Sequence, residues 1–113
     1  MRSVLHQTAP VRRCFSTLPK SVRIVEVGLR DGLQNEKSLI PLEVKLTLLD
    51  KLYAAGLRSI EAGAFVSPKW VPQMKDTPEI FSFLRDHRKE KYPEAIFSAL
   101  TPNVQGNFIC YSF

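Results

Sequence analysis

An arginine and an aspartate stand side by side behind a short apolar stretch, in the run VEVGLRDGLQNEK. The carboxylate of Asp31 is a hard oxygen ligand of the kind that Mg²⁺ or Mn²⁺ prefers, and the guanidinium of Arg30 is a rigid fork of donors suited to a developing oxyanion. Gly28 and Gly32 permit close backbone approach that a side chain would obstruct. The pattern predicts an active-site loop, although a purely structural Arg–Asp pair fits the same spacing equally well.

The sequence lacks the motifs of several other chemistries. GLRDGLQ has neither the lysine nor the glycine spacing of a phosphate-binding loop. There is no GxSxG motif, and the two cysteines, Cys14 and Cys110, lie too far from each other and from any histidine to suggest a nucleophilic pair, a disulfide framework or a metal pair. Nucleophilic hydrolysis therefore has no support.

A strand and a helix are predicted on either side of this loop. Residues 21–27 are rich in β-branched side chains and stop at Gly28, which is typical of a strand. Pro41 and Gly56 are the expected start and stop of a helix between them. Its apolar row is predicted to contain Leu42, Leu46, Leu49 and Tyr53, and its outer face Glu43, Lys45, Asp50 and Lys51.

The same order of strand and helix then repeats. We predict a strand at residues 57–62, a loop at 63–75, a capping box at 76–79 that begins a helix fading through 85–91, and a strand at 95–100. Because parallel strands end at one edge, Glu26 and Glu61, each near the end of its strand, should lie beside the loop of Arg30. The fold class is α/β, either an open doubly wound sheet or part of an eight-unit barrel, since a complete barrel needs about 250 residues.

The net charge of +5 is concentrated at the N-terminus. Five of the 16 Lys and Arg residues precede Glu26, the first acidic residue, and the other 11 balance the 11 acidic residues. We therefore expect no nucleic-acid partner, and the absence of an apolar run of about 20 residues predicts no membrane span. Residues 1–17, with Arg, Ser and Thr but no acid, predict a mitochondrial transit peptide and a matrix location, with a disordered basic tail as the alternative.

Two longer motifs identify a family. VRIVEVGLRDGLQNEK together with GLRSIEAGAFVSPKWVPQMKD resembles the N-terminal part of the 3-hydroxy-3-methylglutaryl-CoA lyases, and the likeness extends over residues 18–106. FVSPKWVPQM is its most specific part. The resemblance implies the first βα units of a TIM barrel, about three strands and two helices. It also implies cleavage of the acyl-CoA substrate to acetoacetate and acetyl-CoA, and a homodimer.

The resemblance also implies roles for individual residues. Asp31 would be a ligand of Mg²⁺ or Mn²⁺, Arg30 would stabilise the enolate of the departing acetyl-CoA, and Glu61 would be an active-site acid. Further matches near the family's site are Gln34 and Lys37, as contacts to the acyl-CoA substrate, and Glu26, as a supporting residue.

The sequence also departs from the family. Leu29 stands where these lyases usually have proline; the isopropylmalate and homocitrate synthases have leucine there, so a related 2-oxo-acid condensing enzyme is an alternative, although it would lack FVSPKWVPQM. The family's His-x-His pair, metal-binding asparagine and glycine-loop cysteine are not in the 113 residues, and residues 107–113 (NFICYSF) diverge. We therefore expect a truncated barrel domain with an incomplete metal site and little activity alone, or a non-catalytic product that pairs with full-length subunits.

Overall fold

The computed structural model of the chain describes residues 18–110, and the side chains of residues 18–107. The predicted transit peptide (1–17) and the last part of the predicted tail (111–113) lie outside these residues. The helices and strands are α1 (Leu42–Ala54), β1 (Ser59–Ala64), α2 (Thr77–Lys91), β2 (Ile96–Leu100) and α3 (Val104–Cys110). Within residues 18–110, no helix combines the length and apolarity that crossing a membrane requires.

The two strands pair in parallel, as the intervening helix predicts. Ser59 lies opposite Ile96 and Ala64 opposite Leu100, with an irregularity in the register just after Glu61. The later of the two strands agrees with its predicted range, whereas β1 begins and ends two residues further along the chain than the prediction of 57–62.

The predicted strand at residues 21–27 is wrong in extent. Only Glu26 is paired, through an isolated parallel bridge to Ile60 in which Glu26 N donates to Ser59 O (2.9 Å) and Glu61 N donates to Glu26 O (2.8 Å). The preceding residues are exposed, with Ile24 67% accessible. A β-branched sequence favours extended backbone, but a strand also needs a neighbour that shares its hydrogen bonds, and sequence alone does not show where the neighbour begins.

The core lies between one face of the sheet and helices α1 and α2. Its buried members are Leu29, Leu49, Ile60, Ala62, Ile80, Leu84 and Tyr92. Leu29, at 1% exposure, reaches into this core from the loop that carries Arg30. Leu29 therefore anchors the loop, because a fully buried leucine contributes about 2 kcal/mol relative to an exposed one.

Tyr92 fixes the end of α2 against α1. Its ring meets Tyr53 and Phe97 edge to face, with centroids 5.3 Å and 5.6 Å away, and its hydroxyl donates to Asp50 Oδ1 at 2.5 Å. Burial, and then the hydrogen bond to Asp50, raise the pKa of the Tyr92 phenol well above its usual value. This docking explains why α2 stays helical to Lys91 instead of fading, and it ends just before Pro93.

Lys45 is buried, which contradicts its predicted place on the outer face of the first helix. It is 2% exposed, and its ammonium donates to Asp76 Oδ1 at 2.6 Å and to the Gln73 carbonyl at 2.5 Å. The predicted capping box is also wrong, because Asp76 precedes α2 without capping it through its side chain. The buried ammonium of Lys45 requires an anionic partner. The carboxylate of Asp76 fills this role and does not cap the N-terminus of α2.

Replacing Lys45 by methionine should destabilise the chain by about 3–5 kcal/mol, because Asp76 is left as an uncompensated buried charge. Replacing both partners, as Lys45→Met with Asp76→Leu, should recover most of that loss. Lys51→Met, on the exposed side of α1, is the matched control and should change stability by less than about 0.5 kcal/mol. Urea unfolding measures all three; equal costs for the two single lysine variants would contradict the assignment.

Candidate active site

The residues that follow Glu26 form one wide helical turn, Gly28–Gly32. The amides of Arg30, Asp31 and Gly32 all point to the carbonyl of Val27, at N···O distances of 3.1, 2.7 and 3.4 Å. The sequence predicts a loop here, and the structure shows a turn of π-helix, a form often found at functional sites. Arg30 and Asp31 lie in this turn, which begins two residues after Glu26, the residue that pairs with Ile60.

Glu26 supports this turn with its own side chain. Its Oε1 accepts a hydrogen bond from the Gly28 amide at 2.6 Å, and a Cβ atom at Gly28 would lie only 2.7 Å from the same oxygen. Glycine is therefore required at the first position of the turn for the carboxylate to fold back over the backbone. Glu26 thus acts on the backbone of the loop, and its supporting role in an active site stays a prediction.

Arg30 is held between two carboxylates. Its Nε donates to Glu61 Oε1 on β1, and its Nη1 donates to Asp31 Oδ1 at 2.7 Å. The Arg30 and Glu61 side chains are 19% and 20% exposed, whereas Asp31 is 59% exposed. The guanidinium is thus fixed by a partly buried partner from another element, while the neighbouring carboxylate stays open to solvent.

The predicted site residues fall into two groups. Glu26, Arg30, Asp31 and Glu61 are gathered around the Gly28–Gly32 turn. Gln34 and Lys37 instead line a separate cleft of about 250 Å³, whose other walls include Trp70 and Gln73. The cleft lining contains none of the first group, so the structure brings four of the six predicted residues together and places the other two further along the same loop.

The described residues do not fit a complete divalent-metal site. Among residues 18–110, no group of three or more His, Cys, Asp or Glu side chains is arranged to hold a metal ion. Mg²⁺ needs near-octahedral oxygen coordination, and the open carboxylate of Asp31 provides at most part of it. The chemistry of the donor suits a hard cation, but the number of donors does not.

Gln73 is a structural member of this region that the sequence reasoning missed. It is 4% exposed, in the middle of the short 3₁₀ turn Pro72–Met74, where the sequence predicts only loop. Its side chain bonds to the backbone of the segment that follows Asn35. The local signal in the sequence is a polar amide directly between Pro72 and Met74. No residue spacing indicates its distant hydrogen-bond partners.

Three comparisons place the chain among known proteins. The family described as HMGL-like matches residues 21–105. The mitochondrial hydroxymethylglutaryl-CoA lyase of Mus musculus is 54% identical over 92 residues, which are 81% of this chain and 27% of that protein. A 3-hydroxy-3-isohexenylglutaryl-CoA/hydroxymethylglutaryl-CoA lyase of Pseudomonas aeruginosa is 54% identical over 89 residues, which are 79% and 28% of the two chains.

Solved structures agree with these relatives. The hydroxymethylglutaryl-CoA lyase of Pseudomonas aeruginosa superposes with a TM-score of 0.73 at 49% identity, covering 84% of this chain and 30% of that one. An HMG-CoA lyase of Acinetobacter baumannii in complex with coenzyme A and 3-methylmalate gives 0.70 at 34% identity, covering 80% and 28%.

The α/β fold of the described residues matches part of the TIM-barrel structure of the hydroxymethylglutaryl-CoA lyase. The chain belongs to the HMGL-like family. It spans a little over a quarter of the length of the curated relatives it matches.

Substituting Gly28 tests the Glu26 contact. Gly28→Ala should cost about 1 kcal/mol, because the new methyl group displaces the Glu26 carboxylate from the Gly28 amide. In a Glu26→Ala background the same substitution should cost almost nothing, so a double-mutant cycle from urea unfolding should give a coupling energy near 1 kcal/mol. Gly32→Ala, whose Cβ meets no atom within 4 Å, is the control; equal costs of Gly28→Ala in both backgrounds would argue against the contact.

Proposed function

We propose that this chain carries part of the active site of a hydroxymethylglutaryl-CoA lyase, which cleaves 3-hydroxy-3-methylglutaryl-CoA to acetoacetate and acetyl-CoA. The observation that carries the proposal is Arg30, fixed by Glu61 and placed beside the open carboxylate of Asp31. The identity of 52–54% to several mitochondrial lyases supports the same reaction. A 2-oxo-acid condensing enzyme finds no better support among the relatives.

The assigned role of Arg30 follows from the direction of the reaction. Removal of the 3-hydroxyl proton forms the ketone of acetoacetate, the bond between C2 and C3 breaks, and its electron pair becomes the enolate of acetyl-CoA, which is then protonated. Arg30 Nε and Nη1 are engaged by carboxylates, and the remaining guanidinium N–H groups are the donors we assign to the enolate oxygen. A donor fixed before the reaction stabilises developing charge without reorganisation.

Glu61 has two assigned roles. As the partner of Arg30 Nε it orients the guanidinium, and as the family resemblance implies, it is an acidic group of the active site. A carboxylate on a strand is a more rigid support than one on a loop, because β1 is hydrogen-bonded to its neighbours on both sides. The same residue thereby links the sheet to the reacting centre.

Asp31 is assigned as one ligand of the Mg²⁺ or Mn²⁺ ion on which we propose the lyase depends. When bound, such an ion polarises the oxygens of the substrate. The described residues supply only this part of the coordination shell. Arg30, Asp31 and Glu61 are joined by ion pairs, and we call these three side chains the Arg30 cluster. Asp31 is suited to the role because it is the most exposed of the three.

The acyl-CoA substrate is assigned to the neighbouring cleft as well as to the Arg30 cluster. Gln34 and Lys37 line that cleft, and the ammonium of Lys37 suits the phosphate groups of coenzyme A. We further propose a mitochondrial matrix location, in line with the mitochondrial relatives, and assembly of the complete lyase as a homodimer.

A chimeric enzyme tests the proposal. Residues 21–105 of this chain replace the corresponding segment of the mouse lyase, and turnover of 3-hydroxy-3-methylglutaryl-CoA is measured with Mg²⁺. We expect activity, and we expect Arg30→Lys to lower kcat by about 10²–10³-fold because lysine cannot bridge two carboxylates and still present a donor. Arg58→Lys, at an exposed arginine that stacks on Tyr53, is the control and should leave kcat unchanged. Equal kcat values in the two variants would remove Arg30 from the mechanism.

The incomplete metal site leads to a separate expectation for the 113-residue chain itself. Titration with Mn²⁺, followed by the electron paramagnetic resonance of the free ion, should show no saturable binding tighter than about millimolar. The same preparation should show no measurable cleavage of the thioester with either Mg²⁺ or Mn²⁺. Saturable micromolar binding would mean that the chain assembles a metal site from residues other than those assigned.

A further inference from the structure

The side-chain amide of Gln73 holds three backbone groups of one segment, residues 36–40. Its Nε2 donates to the carbonyls of Glu36 (3.4 Å) and Ser38 (2.9 Å), and its Oε1 accepts from the amide of Ile40 at 2.9 Å. Gln73 is 4% exposed, so water has little access to its end of these part-buried hydrogen bonds. The Gln73 amide thus supplies hydrogen-bond partners to three backbone groups of this segment, as a neighbouring strand would in a sheet.

The two carbonyls held by Gln73 flank Lys37 in the chain. Fixing the backbone on both sides of a residue restricts the directions that its side chain can take, and Lys37 lines the same cleft as Gln34 and Trp70. A lysine has a long flexible stem, so binding an anion normally costs it much conformational freedom. When the backbone is already fixed, binding does not have to order the loop, so less conformational entropy is lost.

Gln73 is itself firmly anchored. Its carbonyl accepts from Lys45 Nζ at 2.5 Å, and that ammonium is paired with Asp76 at 2.6 Å. The residue follows Pro72, whose ring fixes the backbone at the start of the Pro72–Met74 turn. Two buried hydrogen bonds of Lys45 therefore hold Gln73 and Asp76 against α1, and the part-buried hydrogen bonds of the Gln73 side chain hold residues 36–40.

We propose that Gln73 is a positioning residue for substrate binding: it holds residues 36–40 so that Lys37 is already in place when the acyl-CoA arrives. This inference rests on the proposed function, and it adds a residue that acts through Lys37 without touching the reacting atoms. Its effect falls on binding of the acyl-CoA and not on bond cleavage, because Arg30 is held by Glu61 and its loop by Glu26, without Gln73.

The chimera described above gives the kinetic test. Gln73→Glu places a carboxylate against two carbonyl oxygens, and Gln73→Asn shortens the reach of the amide, so both should raise KM for 3-hydroxy-3-methylglutaryl-CoA about tenfold with kcat changed by less than about threefold. Gln105→Glu makes the same chemical change at an exposed glutamine and should alter neither constant. A fall in kcat with KM unchanged, or no change in either, would overturn the proposal.

Hydrogen exchange on the 113-residue chain separates this proposal from the proposed function. In Gln73→Asn the Ile40 amide should exchange at least about tenfold faster, while the amides in the middle of α2 keep their rates. An inactive unsubstituted chimera would count against the proposed function, and exchange at Ile40 would then decide the positioning role. Unchanged exchange at Ile40 would refute it whatever the chimera does.

Discussion

The backbone pairing of strand β1 is the constraint on which the rest of the structure depends. On one side Ser59 and Glu61 exchange hydrogen bonds with Glu26, and on the other side the strand pairs in parallel with β2. Side chains alternate across a strand, so Ile60 points into the core at 0% exposure while Glu61 points the other way, to Arg30. One strand therefore carries both the packing of the helices and the orientation of the guanidinium.

Two cations show how differently the fold uses charge. Lys45 and Asp76 are almost fully buried, and the large desolvation cost of such a pair is offset only by good geometry and a further hydrogen bond from Lys45 to the Gln73 carbonyl. Arg30 is only partly buried and lies beside an exposed carboxylate. Lys45 fixes the connection between β1 and α2 against α1. Arg30 stays partly accessible to solvent, as its proposed role requires.

Sequence reasoning recovers the elements whose signals are local. Pro41 and Gly56 predict the ends of α1 to within two residues, and the apolar run at 95–100 predicts β2. The sequence also predicts that Glu61 lies beside the loop of Arg30, because strand ends meet at one edge of a parallel sheet. It fails where distant partners decide: the burial of Lys45 depends on Asp76, and the hold of Gln73 on residues 36–40 links groups 33 to 37 positions apart.

The solvent exposure of the sheet face that carries Glu61 sets the strength of electrostatic interactions at Arg30. Ser98 lies opposite Glu61, and the apolar neighbours on the same face of β2, Ile96 and Leu100, are 53% and 42% exposed. In a closed barrel this face is the packed interior, and the strand ends open on the catalytic surface. Enclosure lowers the local dielectric, and the attraction that we propose between the Arg30 guanidinium and an enolate would grow as the dielectric falls. The geometry of the Arg30 cluster is thus set by the described residues, whereas the energy that it can supply depends on what covers this face.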